Sequence, residues 1–125
     1  MWRTLILVSL CVLWAAAVVA QAPLGVDEAL TIDNTSGGVA LATTTTDPAG
    51  APQAVFCQGK LETAQVRYLD NGDAPTTTVG TLVDVGDVIQ MFGHEYIAAA
   101  RFIRTGAVSG TIHMTCYPRY PAWVR

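Results

Sequence analysis

The amino-acid sequence predicts an all-β fold, namely an antiparallel β-sandwich or a small barrel of about seven or eight short strands. Turn-forming residues interrupt the chain roughly every eight to twelve residues, and no segment has the apolar period of an amphipathic helix. Threonine occurs fifteen times, and its branched side chain favours extended backbone. Because the connections between extended segments are short, neighbouring strands are expected to run antiparallel.

The N-terminal segment, residues 1–20, has the pattern of a secretory signal peptide. Arg3 supplies a positive start, Leu5–Val19 is an apolar run, and the small residue Ala20 stands at the expected cleavage site. The run is shorter than the ~20 residues that span a bilayer core, which favours cleavage over an uncleaved membrane anchor. The sequence therefore predicts removal of residues 1–20 and a mature chain that starts at Gln21.

The mature chain is expected to begin with an arm and to continue into three strands. Residues 21–28 contain proline and glycine and show no period, which indicates an arm. Beyond it, β-favouring runs are separated by the loop 34–38 and by the turn 47–52, whose prolines cannot donate to a strand ladder. The predicted strands are Ala29–Asp33, Val39–Thr46 and Gln53–Gln58.

The clearest alternation of the chain runs from Leu61 to Leu69. Ala64, Val66 and Tyr68 share one face of this segment, and polar residues occupy the other face. This period of two is typical of a strand with one buried face.

The middle of the chain contains a tight turn and three short extended segments. Asp70–Asp73 includes Asn-Gly, a pair that tolerates the positive φ of tight hairpin turns. The extended segments that follow are Thr76–Val79, Leu82–Val85 and Val88–Phe92.

Two further strands are predicted near the C-terminus. Ile97–Arg104 contains three consecutive alanines that are compatible with a helix, but it lies between closely spaced turn signals and is interpreted as a strand. Thr111–Tyr117 alternates, and its core-facing residues are Ile112, Met114 and Cys116. Residues 118–125 have no period and are expected to form a loose tail, so that residues 29–117 form a single β-sandwich domain.

The cysteines predict a disulfide bond. Cys11 is removed with the signal, which leaves Cys57 and Cys116 in an exported chain. Such pairs are usually oxidised outside the cytoplasm, although two buried free thiols are the alternative. Both cysteines lie on predicted core faces, and a bond requires Cα atoms within about 7 Å. The two strands that carry them are therefore expected to be neighbours or to face each other.

Composition excludes several classes of partner. The net charge is −3 with a pI of about 5.1, and loss of Arg3 with the signal makes the mature charge −4. Nucleic-acid binding through phosphate contacts needs a basic face, so no nucleic acid is expected as a partner. After signal removal no apolar segment of spanning length remains, so no membrane partner is expected either.

The chemistry-bearing residues do not form a catalytic pattern, and the sequence predicts no enzyme, no cofactor and no metal site. Nucleophile-elbow, zinc-protease, Cys-x-x-Cys and P-loop motifs are all missing. His94 and Glu95 are adjacent and would face opposite ways on a strand, while His113 lies on a predicted solvent face. Asp84 and Asp87 flank a glycine and are interpreted as turn formers.

Three arginines are candidate interface residues. Arg67, Arg101 and Arg104 lie within predicted strands of a chain that is poor in cations. Their aliphatic stems can cover apolar surface while the guanidinium groups reach solvent. The alternative is that they pair with carboxylates across a subunit boundary, since arginine favours bidentate pairs at interfaces.

Several segments together resemble small all-β proteins from structural gene clusters of tailed phages and prophages. The shared pattern is a strand with arginine, a Pro-Thr turn, a glycine-bounded strand, an Ile-Arg strand and a Gly-Ser loop. The segments that carry it are Leu61–Tyr68, Asn71–Thr76, Gly80–Leu82 and Ile97–Ile112. The likeness covers about residues 29–117, and the stretch Arg67–Thr76 is also similar, more weakly, to β-sandwich modules appended to carbohydrate-active enzymes.

The resemblance implies a non-enzymatic structural protein, a component of a virion or of a surface, that packs against other protein chains. Its partners would be proteins, as a homo-oligomer or a larger assembly. The alternative is an exported module that binds a carbohydrate or a protein. The signal peptide predicts a secreted or periplasmic protein, whereas a virion protein would assemble in the host cytoplasm and normally lacks such a signal.

Overall fold

In a computed structural model, residues 25–42 and 54–118 form seven strands and one short helix. The predicted signal peptide, residues 21–24 of the predicted arm and nearly all of the predicted tail lie outside these described residues. In chain order the elements are β1 (Val26–Ile32), β2 (Phe56–Leu61), β3 (Val66–Leu69), β4 (Thr81–Val83), β5 (Val88–Phe92), α1 (His94–Ala99), β6 (Arg101–Arg104) and β7 (Gly110–Tyr117).

The strands form two antiparallel sheets, which confirms the predicted all-β class. The four-stranded sheet has the order β1-β7-β2-β5, and the three-stranded sheet has the order β4-β3-β6. Every pairing within them is antiparallel. In the four-stranded sheet the central strand β7 comes last in the chain, so its position requires pairing between distant segments.

Both sheets contribute side chains to one buried hydrophobic cluster. Ile32, Leu61 and Ile112 enter it from the four-stranded sheet, and Val66 and Phe102 enter it from the three-stranded sheet. All five side chains are fully buried. The burial of apolar surface between the sheets is therefore the main force that holds them together.

Strand β7 has the alternation that the sequence predicts. Ile112, Met114 and Cys116 are buried, whereas His113 between them is exposed. β5 likewise has the predicted bounds, Val88–Phe92. The period of two thus identified the core-facing side of β7 correctly, while the bounds of β5 follow from the turn residues on either side of it.

Strand β1 begins earlier than expected. It starts at Val26, inside the segment predicted to be an arm, so the arm prediction is wrong for residues 26–28. Val26, Asp27 and Glu28 pair with β7, opposite Cys116, Thr115 and Met114 respectively. Pairing with a long central strand therefore extends β1 through residues that have no alternation of their own.

The segment Leu61–Leu69 is two strands rather than one. β2 ends at Leu61, and the chain then crosses from the four-stranded to the three-stranded sheet before β3 begins at Val66. The start of β7 passes close to the start of β3 at this crossing. If Gly110 had a side chain, its Cβ would lie only 2.5 Å from Val66 Cγ1, so glycine permits the close approach. Val66 is fully buried and Tyr68 packs against the core, as the alternation predicts.

The prediction of a single strand over Ile97–Arg104 is wrong. The segment consists of the end of helix α1 followed by β6. The turn at Gly93, with φ of 91°, leads into the helix, and the Ile97 N–H donates to the Gly93 carbonyl at 3.1 Å. Ile97 fills a core position from the helix, which explains why an apolar residue stands there. α1 has six residues, and no helix in the described ranges is long and apolar enough to cross a bilayer.

Two other predicted strands also differ. Val39 makes a single bridge to Phe102 of β6, and the rest of the Val39–Thr46 prediction falls mostly outside the described residues. Thr76–Val79 is a bend closed by the hydrogen bond from the Thr76 N–H to the Val79 carbonyl at 3.0 Å. Within the described residues, neither run forms a strand of either sheet.

Candidate interaction surface

The structure joins Cys57 and Cys116 in a disulfide bond, as predicted. They are direct cross-strand partners on the neighbouring strands β2 and β7, with Cα atoms 4.1 Å apart. Both residues are buried in the core. The bond therefore ties together the two inner strands of the four-stranded sheet.

Arg67 of β3 is bound to its own chain. Its Nε donates to the Thr77 carbonyl at 3.1 Å, and its Nη1 donates to the Gly80 carbonyl at 2.8 Å. Its cross-strand partners are Leu82 on β4 and Ile103 on β6. The guanidinium group thus holds the 77–80 loop beside β3, and a role at a subunit interface stays a prediction.

Arg101 and Arg104 of β6 also bind carbonyl groups of their own chain. Arg101 Nη1 donates to the carbonyls of Ala98 and Ala100, at 3.0 and 2.8 Å, and so binds the C-terminal end of α1. Arg104 Nη1 donates to the Ala107 carbonyl at 2.9 Å. All three candidate arginines are half-buried and support the three-stranded sheet, a local role that was not among the sequence-based alternatives.

Exposed apolar side chains are concentrated in one part of the chain. Of eight large exposed apolar residues in the described ranges, six lie between residues 79 and 96. These six, which we name the β4–β5 surface, are Val79, Leu82, Val85, Val88, Phe92 and Tyr96. They extend from an edge strand of the small sheet, through the turn 84–87, to an edge strand of the large sheet and helix α1.

The β4–β5 surface was not predicted from the sequence. The signal that could have revealed it is the composition of the segment 79–96, in which apolar residues recur on both faces of short strands. Single exposed apolar residues are ordinary, whereas six within one segment of eighteen residues make that segment a candidate interaction site.

A row of aromatic rings lies at one end of the four-stranded sheet. Phe56 of β2 is the cross-strand partner of Phe92 on β5 and of Tyr117 on β7. The ring centroid of Phe56 lies 5.0 Å from that of Phe92 and 5.8 Å from that of Tyr117. Both distances are within the range of favourable aromatic contacts. Phe56 is fully buried, so Phe92 presents the accessible ring of the pair.

Further along the same face of the four-stranded sheet, β7 carries Thr115 and His113. Thr115 Oγ1 donates to Asp27 Oδ1 at 2.6 Å, and His113 Nε2 lies 3.3 Å from Glu62 Oε2. Shallow depressions of about 210 and 430 Å³ flank β7, and both are lined by His113 and Thr115. The face can therefore offer hydrogen bonds beside the aromatic row.

Within the described residues, two titratable groups have shifted pKa values. Burial against the core, together with nearby Asp70, raises the pKa of the Tyr68 phenol. Hydrogen bonds from the Thr35 hydroxyl and N–H lower the pKa of Asp33. In residues 25–42 and 54–118, no group of three or more His, Cys, Asp or Glu side chains could hold a metal ion.

Comparison with known proteins adds no further information on function. No protein-family model matches the sequence, no curated protein is similar to it, and no solved structure matches the fold.

Proposed function

We propose that the protein is a non-enzymatic interaction domain that packs against other protein chains, as a structural component of a virion or of a surface. The observation that carries this proposal is the β4–β5 surface, which holds six of the eight large exposed apolar side chains of the described residues. Burying such side chains against a partner is favourable because it removes apolar area from water.

The position of the surface supports a protein partner. It includes the edge strands β4 and β5, one from each sheet, and edge strands pair readily with other chains. The charged residues of the segment 79–96, Asp84, Asp87 and Glu95, are exposed and directly precede Val85, Val88 and Tyr96 in the sequence. Protein interfaces commonly combine apolar and charged side chains.

The proposed architecture is a β-sandwich in an exported chain. Two antiparallel sheets that share one core support the sandwich. The disulfide supports an oxidising compartment, secreted or periplasmic, and so supports the signal peptide. N-terminal sequencing of the purified protein tests export, because cleavage after Ala20 makes Gln21 the first residue.

Site-specific photo-crosslinking in the producing cells tests the protein partner. The crosslinker p-benzoylphenylalanine replaces Val85 in the β4–β5 surface and, as a matched control, Val26 on β1. The two valines are similarly exposed, at 57% and 55%, but Val26 lies on the opposite edge strand of the four-stranded sheet. Adducts with protein, identified by mass spectrometry, are expected from position 85 and not from position 26. No adduct from position 85, or equal adducts from both positions, contradicts the proposal.

A second candidate function is binding of a carbohydrate. It is supported by the aromatic row, since a ring such as Phe92 can stack on a sugar while Gln58 and Gln90 lie in the next row of the same face. A glycan array probed with the purified chain tests it. Tight binding of one sugar class that Phe92→Ala abolishes, by a protein that remains monomeric, would favour this function over protein packing.

A further inference from the structure

Strand β5 is an open edge of the four-stranded sheet. The Leu61 N–H donates to the Asp87 carbonyl at 3.1 Å, and the Gly93 N–H donates to the Val55 carbonyl at 2.8 Å. In an antiparallel ladder the bonding residues alternate, so Ile89 and Met91 bond to β2. The backbone N–H and C=O groups of the alternate residues of β5, which are Val88, Gln90 and Phe92, therefore point away from the sheet.

This edge is accessible. Within the described parts of the chain, β5 pairs with β2 alone. Val88 and Phe92 are 62% and 47% exposed, and Gln90 between them is exposed as well. The three residues thus present unpaired backbone groups and accessible side chains in one line.

β5 contains none of the residues with which proteins protect an edge strand. Its sequence, Val-Ile-Gln-Met-Phe, contains no charge, proline or glycine. The other edge strands have such protection. β1 carries the charged residues Asp27 and Glu28, and β4 is only three residues long. β6 is partly covered by the bridge from Val39 to Phe102. The unprotected edge is therefore a specific feature of β5.

We infer that β5 pairs antiparallel with β5 of a second copy of this chain, about a two-fold axis at Gln90. This inference rests on the proposed function, because it names the protein partner of part of the β4–β5 surface. The result is a continuous sheet across a symmetric dimer, in which each copy offers the same patch to the other.

In this register the side chains of β5 are complementary to those of β5 in the second copy. Val88 of each copy lies opposite Phe92 of the other, so apolar side chains meet on the outer face. Gln90 lies opposite Gln90 of the second copy, and the two neutral side-chain amides can exchange hydrogen bonds. Each of these pairs exchanges two backbone hydrogen bonds, and no like charges meet.

Sedimentation velocity of the oxidised chain without its signal, over a wide concentration range, tests the dimer. Wild type is expected to shift to twice the monomer mass as concentration rises. Gln90→Lys brings two positive charges together on the axis and should weaken association about tenfold or more. The matched control is Ala29→Lys, since Ala29 is exposed at the centre of the other outer edge and lies opposite His113 of β7. It should leave association unchanged.

Hydrogen exchange supplies a readout that does not depend on a variant. In wild type the amides of Val88, Gln90 and Phe92 should gain protection as the concentration rises, while the amide of Ala29 should not. The dimer is overturned if wild type stays monomeric at every concentration. It is also overturned if Ala29→Lys dissociates the dimer and Gln90→Lys does not. If the monomeric protein still gives adducts with other proteins from position 85, the dimer is wrong and the proposed function stands. If no adduct forms at position 85, the proposed function itself fails.

Discussion

The four-stranded sheet contains the longest strands, β7 with eight residues and β1 with seven, whereas no strand of the three-stranded sheet exceeds four residues. β7 alternates buried and exposed side chains and is linked to β2 by the disulfide. The short strands are supported from outside by Arg67, Arg101 and Arg104, whose guanidinium groups bind carbonyls of adjacent turns and of helix α1.

This difference indicates two ways of stabilising a sheet in one small domain. A long ladder with a covalent cross-link depends on its own strands, while a short ladder depends on side chains that hold its neighbours in place. Damage to the disulfide or core should therefore reduce stability strongly, and damage to an arginine contact should reduce it moderately. Damage to the outer face of the large sheet should have little effect.

The largest effect is expected from removal of the disulfide. Replacing both Cys57 and Cys116 by alanine should lower the free energy of unfolding by about 3–4 kcal/mol, because the bond closes a long loop in the unfolded chain. The sequence separation of the two cysteines is 59 residues. Denaturant unfolding measures the change, and a reductant should destabilise wild type to the same degree while leaving its far-ultraviolet circular dichroism unchanged. An unchanged midpoint would mean that the bond does not support the four-stranded sheet.

Core substitutions test whether the two sheets share one core. Ile112→Ala in β7 and Val66→Ala in β3 should each cost about 2–4 kcal/mol, because both side chains are fully buried and leave a cavity. Each variant should still unfold in a single transition when two spectroscopic probes are compared. If Val66→Ala instead separates the transition into two steps, the small sheet is an independent unit.

Arg67→Met should cost about 1–2 kcal/mol, because it keeps an apolar stem but removes the donors to Thr77 and Gly80. The control is Lys60→Met, a similar loss of charge at an exposed position on the large sheet, where little change is expected. Thermal unfolding of the two variants makes the comparison. Equal losses would show that the effect comes from net charge rather than from the carbonyl contacts.

The smallest effect is expected from His113→Ala. His113 is exposed on the outer face of β7, and its contact with Glu62 is a surface ion pair at most. Such pairs contribute little, so the free energy of unfolding should change by less than about 0.5 kcal/mol. A loss as large as that of the neighbouring Ile112→Ala would mean that the two residues face the opposite way.

The local pattern was sufficient for the elements in which one face is buried and the other is not. The alternation of β7 and the inward orientation of Cys116 follow from a period of two, which neighbouring residues carry by themselves. The bounds of β5 follow from the turn residues at each of its ends. The pairing of Cys57 with Cys116 was predicted from their number and their predicted core faces. The candidate arginines were identified as unusual, but their carbonyl partners were not.

Features that depend on distant segments were decided by the tertiary structure. Val26–Glu28 form a strand because they pair with β7. After Leu61 the chain passes from the large sheet to the small sheet, in which β3 pairs with β4 and β6. His94–Ala99 form a helix that places Ile97 in the core. The open edge of β5 likewise depends on which strands pair and which do not. Periodicity records the burial of a residue, but pairing is a contact between residues far apart in the chain, so it emerges only when the sheets assemble around a common core.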